Sequence, residues 1–191
     1  MRQLVIDRSS NVTLIAYDGR TLALDGRDDT WVARLRDFMQ GERPDALAVG
    51  LGPGSFAGIR ATIATLQGLG IAWNLKPRGF PSAALWAVAS GLPEVTVVGD
   101  ARRNTLWTVR YQVTPERIEQ RGGFELRRRE NFVPEPSMVS PDAGRLATFG
   151  LRTAKLSASI LESTVARLEH QLTDDPKPIY LHPAVGVTNA Q

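Results

Sequence analysis

The chain of 191 residues contains no cysteine. That excludes disulfides, thiolate metal sites and cysteine nucleophiles, and it fits a reducing compartment. Histidine is nearly absent, with only His170 and His182, which lie far apart in sequence. No apolar run approaches the roughly 20 residues of a membrane helix, and the run before Asp7 is too short for the core of a signal peptide. A cytoplasmic protein without membrane contact is the expectation. Lysine is scarce too: Lys76, Lys155 and Lys177 stand among 23 basic residues, so the net charge of +3 and the pI of about 9.7 rest on arginine. Such a surface suits a solvated face or contact with RNA.

What is present is ordinary globular material, with 42% hydrophobic and 23% charged residues, enough for a core. The length allows one compact domain or two small ones. A strand is predicted at Gln3 to Ile6, and "NVTLIAYDGRTLAL" reads as two strands around Asp18-Gly19, a strong hairpin signal. Trp31, Leu35 and Phe38 recur at helical spacing from Asp29 to Met39, behind an Asp or Thr cap. "DALAVGLG" reads as a buried strand, "PRGF" as a short strand and "SAALWAVAS" as a helix. The predicted order is βββαβαβα, a mixed sheet with helices.

"EVTVVGDARRNTLWTVRYQV" then repeats the pattern of "RQLVIDRSSNVTLIAYD". Asp7 and Asn11 match Asp100 and Asn104 at equal spacing, and Thr13-Leu14 matches Thr105-Leu106 with one residue dropped. Two related lobes follow, residues 1–98 and a smaller, degenerate 99–191 whose terminal segment can return to the first. A strand region through Phe132, a Pro-rich connector from Pro134 to Pro141, a helix from Ser157 to Gln171 and a terminal strand "PIYL" are predicted for the second lobe.

Gly52, Pro53, Gly54, Ser55 and Gly58 form a loop between strand and helix. It is not a P-loop, because Ile-Arg stands where Lys-Ser or Lys-Thr would be needed. Nor is Ser55 in a nucleophile elbow, because Pro53 takes the first glycine position. Ser55 can cap a helix whose free amides are met by an anion or by water. In that helix Ile59, Ile63, Leu66, Gly70 and Trp73 share one face, and Ala57, Ala61, Ala64, Gly68 and Ala72 the opposite one. Two apolar faces predict a sandwiched helix, covered on its far side by the helix around Trp31 or by a second protein chain.

"GPGSFAGIRATIATLQGLG" resembles the Gly-Pro-Gly-Ser-Phe-Thr-Gly-Leu-Arg signature of the TsaB (YeaZ) family, partners in making N6-threonylcarbamoyladenosine (t6A) in tRNA. "LVIDRSS", "GDARRNTLWTVRY" and "PIYLHP" are similar to further family segments and lie in order along the chain. The resemblance implies an α/β, actin-like ATPase fold (Hsp70 and sugar-kinase-like, ribonuclease H-like), with two related lobes of mixed sheets flanked by helices. It implies a non-catalytic scaffold or activator of the TsaD-type protein, the metalloprotein that transfers threonylcarbamoyl to adenosine 37. The His-x-x-x-His metal pattern of that relative is missing here, so no metal and no cofactor are expected on this chain alone, with ATP left to the assembled complex. Implied partners are the TsaD-type protein, a TsaE-type ATPase, tRNA through the complex, and a second copy. The implied interface comprises Phe56, Ile59, Arg60, Ile63 and Gln67, with Trp31, Leu35 and Phe38 of the first helix. Asp7 and Asp100 hold the positions where active superfamily members meet phosphates, and are read as vestigial. Arg8 and Ala57 depart from the family's threonines, and the stretch between Leu24 and Arg34 is short. The alternatives are an enzyme of the same superfold, either a nucleotide-dependent phosphotransferase or a glycoprotease-like peptidase, and direct RNA binding by "RGGFELRRRE".

Overall fold

The computed structural model describes residues 1–142 and 144–182. Strand β1 (Gln3–Asp7) pairs antiparallel with β2 (Val12–Tyr17), and β2 pairs antiparallel with β3 (Arg20–Asp25). On its other side β1 runs parallel to β4 (Ala46–Gly50), which runs parallel to β5 (Pro77–Phe80). The sheet order is β3-β2-β1-β4-β5. Asp18 and Gly19 turn the β2–β3 hairpin with positive φ, as the Asp-Gly pair predicts. Helix α1 (Trp31–Met39) precedes β4, α2 (Phe56–Trp73) joins β4 to β5, and α3 (Ala83–Ala89) follows β5.

The second sheet repeats the first strand for strand. It holds β6 (Glu94–Arg102), β7 (Thr105–Val113), β8 (Ile118–Arg128), β9 (Met138–Ser140) and β10 (Arg152–Thr153), in the order β10-β9-β6-β7-β8. The β6, β7 and β8 pairings are antiparallel, while β6 with β9 and β9 with β10 are parallel, as in the first sheet. Where the first half has α1 and α2, the second has 3-10 turns at Arg129–Asn131 and Ala147–Phe149, and α4 (Leu161–Arg167) corresponds to α3. The duplication read from the Asp7 and Asp100 segments is therefore a duplication of topology.

Period-two alternation sorts the side chains into layers. Leu4, Ile6, Ile15, Tyr17, Leu47 and Val49 face one side of the first sheet, under Trp31 and Leu35 of α1 and Ile59, Ile63 and Leu66 of α2. Val5, Leu14, Ala16 and Ala48 face the other side, in one core with α3, α4 and Val95, Val97, Trp107, Val109 and Tyr111 of the second sheet. Helix α3 lies against β6 and β7, and α4 against β1 and β2, so each half's last helix covers the other half's sheet. Among the described residues, the outer face of the second sheet carries a small cluster around Val98, Leu106, Phe132, Met138 and Leu146. Each fully buried aliphatic or aromatic side chain contributes about 1.5–3 kcal/mol, so the shared middle layer binds the two halves strongly.

Four boundaries differ from the sequence reading. Strand β6 begins at Glu94, so the change of sheet lies before the 98/99 division. The Pro134 to Pro141 connector contains β9, whose three residues are too few to show a period. The predicted helix from Ser157 to Gln171 is split into a 3-10 turn (Ala158–Ile160), α4 and a second 3-10 turn (Glu169–Gln171). "PIYL" is not a strand: Thr173 exchanges both backbone bonds with Gly79, and Ile179 donates to Leu51 O at 2.9 Å. Pro176 and Pro178 lack the N–H groups that a continued ladder would need. Pro183 of "PIYLHP" lies outside the described residues. Among the described residues no helix is long and apolar enough to cross a membrane.

Candidate functional site

The glycine loop seats α2 on the β1–β2 turn. Ser55 N–H donates to Ser9 O at 2.7 Å, Gly52 N–H donates to Ser82 Oγ at 2.9 Å, and Ser55 Oγ caps the helix by accepting from Gly58 N–H at 3.3 Å. The Gly52-Pro53 peptide is cis. A Cβ on Gly54 would collide with the Ser9 carbonyl, and one on Gly58 with the Arg8 carbonyl. Two backbones meet here at a distance only glycine permits. Arg8 pins the same corner from beneath. Its Nε donates to Thr13 Oγ1 at 2.9 Å and its Nη2 to Gly26 O at 3.0 Å, while its guanidinium stacks 4.5 Å over Trp31. The arginine that departs from the family pattern thus ties down the short stretch between Leu24 and Arg34.

Asp7 is fully buried. It accepts from Ser9 N–H at 3.1 Å, from Ser9 Oγ at 2.8 Å and from Ser82 Oγ. Burial pushes its carboxyl above the usual range, against the pull of the Ser82 and Ser9 hydrogen bonds. Ser82 holds the N-cap position of α3 but makes no cap bond, since its hydroxyl serves Asp7 and Gly52 instead. Sequence reasoning missed Ser82, although a serine before an apolar helix was the available signal. Asp100 lies against three guanidinium groups: Arg129 at 3.4 Å, and Arg102 and Arg145 at 3.8 Å. Neither carboxylate is presented as a ligand for a magnesium nucleotide, because one is sealed and the other is occupied by cations. Asp7 thus ties the β1–β2 turn to the start of α3, and Asp100 gathers arginines of separate segments.

The structure divides the implied interface residues. Trp31, Leu35, Ile59 and Ile63 are buried in the chain's own core and have no surface to offer a partner. Their spacing marks burial, and burial against the first sheet is satisfied first. Phe38 is half-buried, while Phe56, Arg60 and Gln67 are exposed. The opposite face of α2 is also exposed: Ala57, Ala61, Ala64, Gly68 and Ala72 form a stripe of small side chains, flanked by Phe56 and by Ile71, 86% exposed. A Cβ on Gly68 would meet nothing within 4 Å. Arg60 stacks 5.1 Å over the Phe56 ring, and the Tyr180 ring lies 5.9 Å from it. Tyr180 and Ile71 escaped the sequence reading; the first comes from a distant segment, and the second is the helix's one large apolar residue on the small-residue side.

A cavity of about 670 Å³ opens between the sheets, lined by Ser9, Asn11, Arg27, Ser55, Arg102 and Arg145 among others. The metal of the catalytic relative does not fit the donors present. His182 Nε2 is 2.9 Å from Ala101 O, His170 Nε2 is 3.0 Å from Gln171 Nε2, and no three His, Asp or Glu side chains converge among the described residues. The arginines of "RGGFELRRRE" lie on edge strand β8 and its 3-10 turn, with Arg121, Arg127 and Arg128 paired to Glu119, Glu125 and Glu130. Acids are thus interleaved with the arginines along that exposed edge strand.

No curated protein matches the chain significantly. Two solved structures are similar in fold: YeaZ from Pseudomonas aeruginosa, with a TM-score of 0.73, 20% identity and coverage of 94% of this chain and 100% of that one; and an uncharacterized protein with similarity to peptidase YEAZ from Pseudomonas aeruginosa, with a TM-score of 0.75, 20% identity and coverage of 95% and 99%. The family model of TsaD, tRNA N6-adenosine threonylcarbamoyltransferase, matches residues 39–175. The chain therefore belongs to the TsaD family and has the two-sheet fold of YeaZ, the branch whose signature its glycine loop carries.

Proposed function

We propose that this chain is a non-catalytic, TsaB-type subunit that docks a TsaD-type catalytic protein through the exposed face of α2 and so supports threonylcarbamoyl transfer to adenosine 37 of tRNA. The observation that carries this reading is the two-sided apolar helix: its large side chains are consumed by the first sheet, and its stripe of Ala57, Ala61, Ala64, Gly68 and Ala72 is left bare beside the signature loop. Small residues let another backbone approach closely, and large exposed apolar surfaces mark contact sites. Phe56, Arg60 and Tyr180 stand at one end of the stripe and Ile71 at the other, aromatic and arginine groups being typical interface anchors. In this assembly the partner supplies the metal and the chemistry, a TsaE-type ATPase joins the pair, and tRNA is reached through the catalytic subunit. A second copy of the chain occupies the same face when the partner is absent.

The test is co-expression with the TsaD-type protein of the same organism, reading co-elution and t6A in tRNA, with each protein alone as control. A complex that forms t6A only when both are present is the expected result. A chain that elutes apart, with t6A formed regardless, overturns the proposal.

A further inference from the structure

The outer face of the second sheet departs from that of the first. In the first half that face is apolar and roofed by α1 and α2. The second half has 3-10 turns in their place and, among the described residues, an apolar cluster at one end, around Val98, Leu106 and Met138. At the other end of β6 and β7 lies a pocket of about 390 Å³, lined by Glu94, Thr96, Arg110, Arg121, Glu135 and Ser137 among others. None of its lining residues belongs to the cleft between the sheets.

The pairing registers set charge across this pocket in two rows. Thr96 pairs with Arg110 and Arg110 with Arg121 on three neighbouring strands; two residues along, Glu94 pairs with Gln112 and Gln112 with Glu119. Like charges directly opposite destabilise a strand pair, so Arg110 facing Arg121 is a cost that the sheet itself does not offset. Arg121 is held by Glu119 at 2.7 Å. Arg110 is exposed, and among the described residues its guanidinium makes no ion pair or hydrogen bond. The carboxylates of Glu94 and Glu135, which line the same pocket, make none either. Diagonal neighbours on one sheet face stand about 7–8 Å apart, so Arg110 and Glu94 leave a gap that a ligand carrying both charges can bridge. The backbone fixes the rim: Thr96 N–H donates to Ser137 O at 3.1 Å, and Met138 N–H donates to Glu135 O at 3.0 Å. Thr96, 9% exposed, adds a hydroxyl to the lining.

We infer that this pocket binds a free α-amino acid, its carboxylate on Arg110 and Arg121 and its ammonium on Glu94 and Glu135. Arginine forks match a planar carboxylate, and the two glutamates supply acceptors for an ammonium, which has donors only. The mixed signs select a zwitterion. A plain anion would meet two carboxylates without a compensating group, and a plain cation two guanidinium groups. The volume lies at the lower end of small-molecule sites and admits an amino acid with its side chain.

The experiment is an NMR titration of the 15N-labelled full chain with each of the common L-amino acids, with acetate and ethylammonium as single-charge controls. Expected are saturable amide shifts at Thr96, Arg110, Gln112 and Arg121 with at least one amino acid, and none with either control at equal concentration. Arg110→Gln, at an exposed position, should keep the wild-type spectrum elsewhere and weaken binding at least about tenfold. Glu94→Gln combined with Glu135→Gln removes both full charges that face the ammonium and should weaken it as much. The inference fails if no amino acid gives saturable shifts, which would leave the face merely solvated. It fails equally if acetate or ethylammonium binds as tightly, or if the folded Arg110→Gln chain binds like the wild type. None of the substituted residues lies on α2, so this result and the pairing result are separable.

Discussion

Replacing Ala64 with glutamate tests the docking face, because Ala64 is exposed on α2 while its neighbour Ile63 is 6% exposed and belongs to the core. Within the isolated chain Ala64→Glu alters only helix propensity, a change of under about 0.7 kcal/mol. In the complex the same carboxylate would sit unpaired in an apolar contact, and a cost of about 3 kcal/mol weakens pairing by roughly a hundredfold. Ile63→Glu behaves differently. It removes a buried Ile side chain, worth about 2–5 kcal/mol, and leaves a charge inside the first half's core. Against a total stability of about 5–15 kcal/mol, that variant should be largely unfolded or strongly destabilised before any partner is met. Urea denaturation of each variant alone, followed by co-elution with the TsaD-type protein, separates the two effects. Normal pairing by Ala64→Glu would refute the assignment of this face, and a stable Ile63→Glu chain would refute the core assignment.

Two further outcomes are expected. Gly58→Ala gains about 1 kcal/mol of helix propensity but forces a Cβ onto the Arg8 carbonyl, a strain of about 1–3 kcal/mol, whereas Gly68→Ala meets open space and keeps the gain. Chemical denaturation should rank Gly68→Ala above wild type and Gly58→Ala below it, and the reverse order would sink the packing argument. For Asp7, the folded carboxyl is raised above its ordinary value of 3.8, so the folded state holds the proton more tightly than the unfolded state does. Its contribution is fully present below the unfolded value and is lost as pH rises through the folded one. The stability of wild type relative to Asp7→Asn should therefore improve as pH falls from neutral towards 4; a gap that stayed level, or widened upward, would contradict the desolvated carboxyl.

Much of the fold was legible because its signals are local. The apolar runs of β1, β2 and β6, the Asp18-Gly19 turn and the Ile59, Ile63, Leu66 spacing are each carried by a few neighbouring residues. The paired hairpins that turn just after Asp7 and Asp100 exposed the duplication, although the second half has 3-10 turns where the first has two helices. Strand β9 and the broken helix around α4 were not legible, since three- and seven-residue elements carry too little pattern.

The amino-acid order by itself determined the glycine loop, the two-sided character of α2 and the repeat, because each depends on residue type at short spacing. Only the tertiary structure decided which side of α2 is spent on the first sheet and which is left bare, since both sides are apolar and periodicity cannot rank them. It alone joined Asp7 to Ser82, and gathered Arg129 and Arg145 around Asp100 opposite Arg27. Those groups lie in separate segments of the chain, and only the packing of two sheets about α3 and α4 brings them to one cleft.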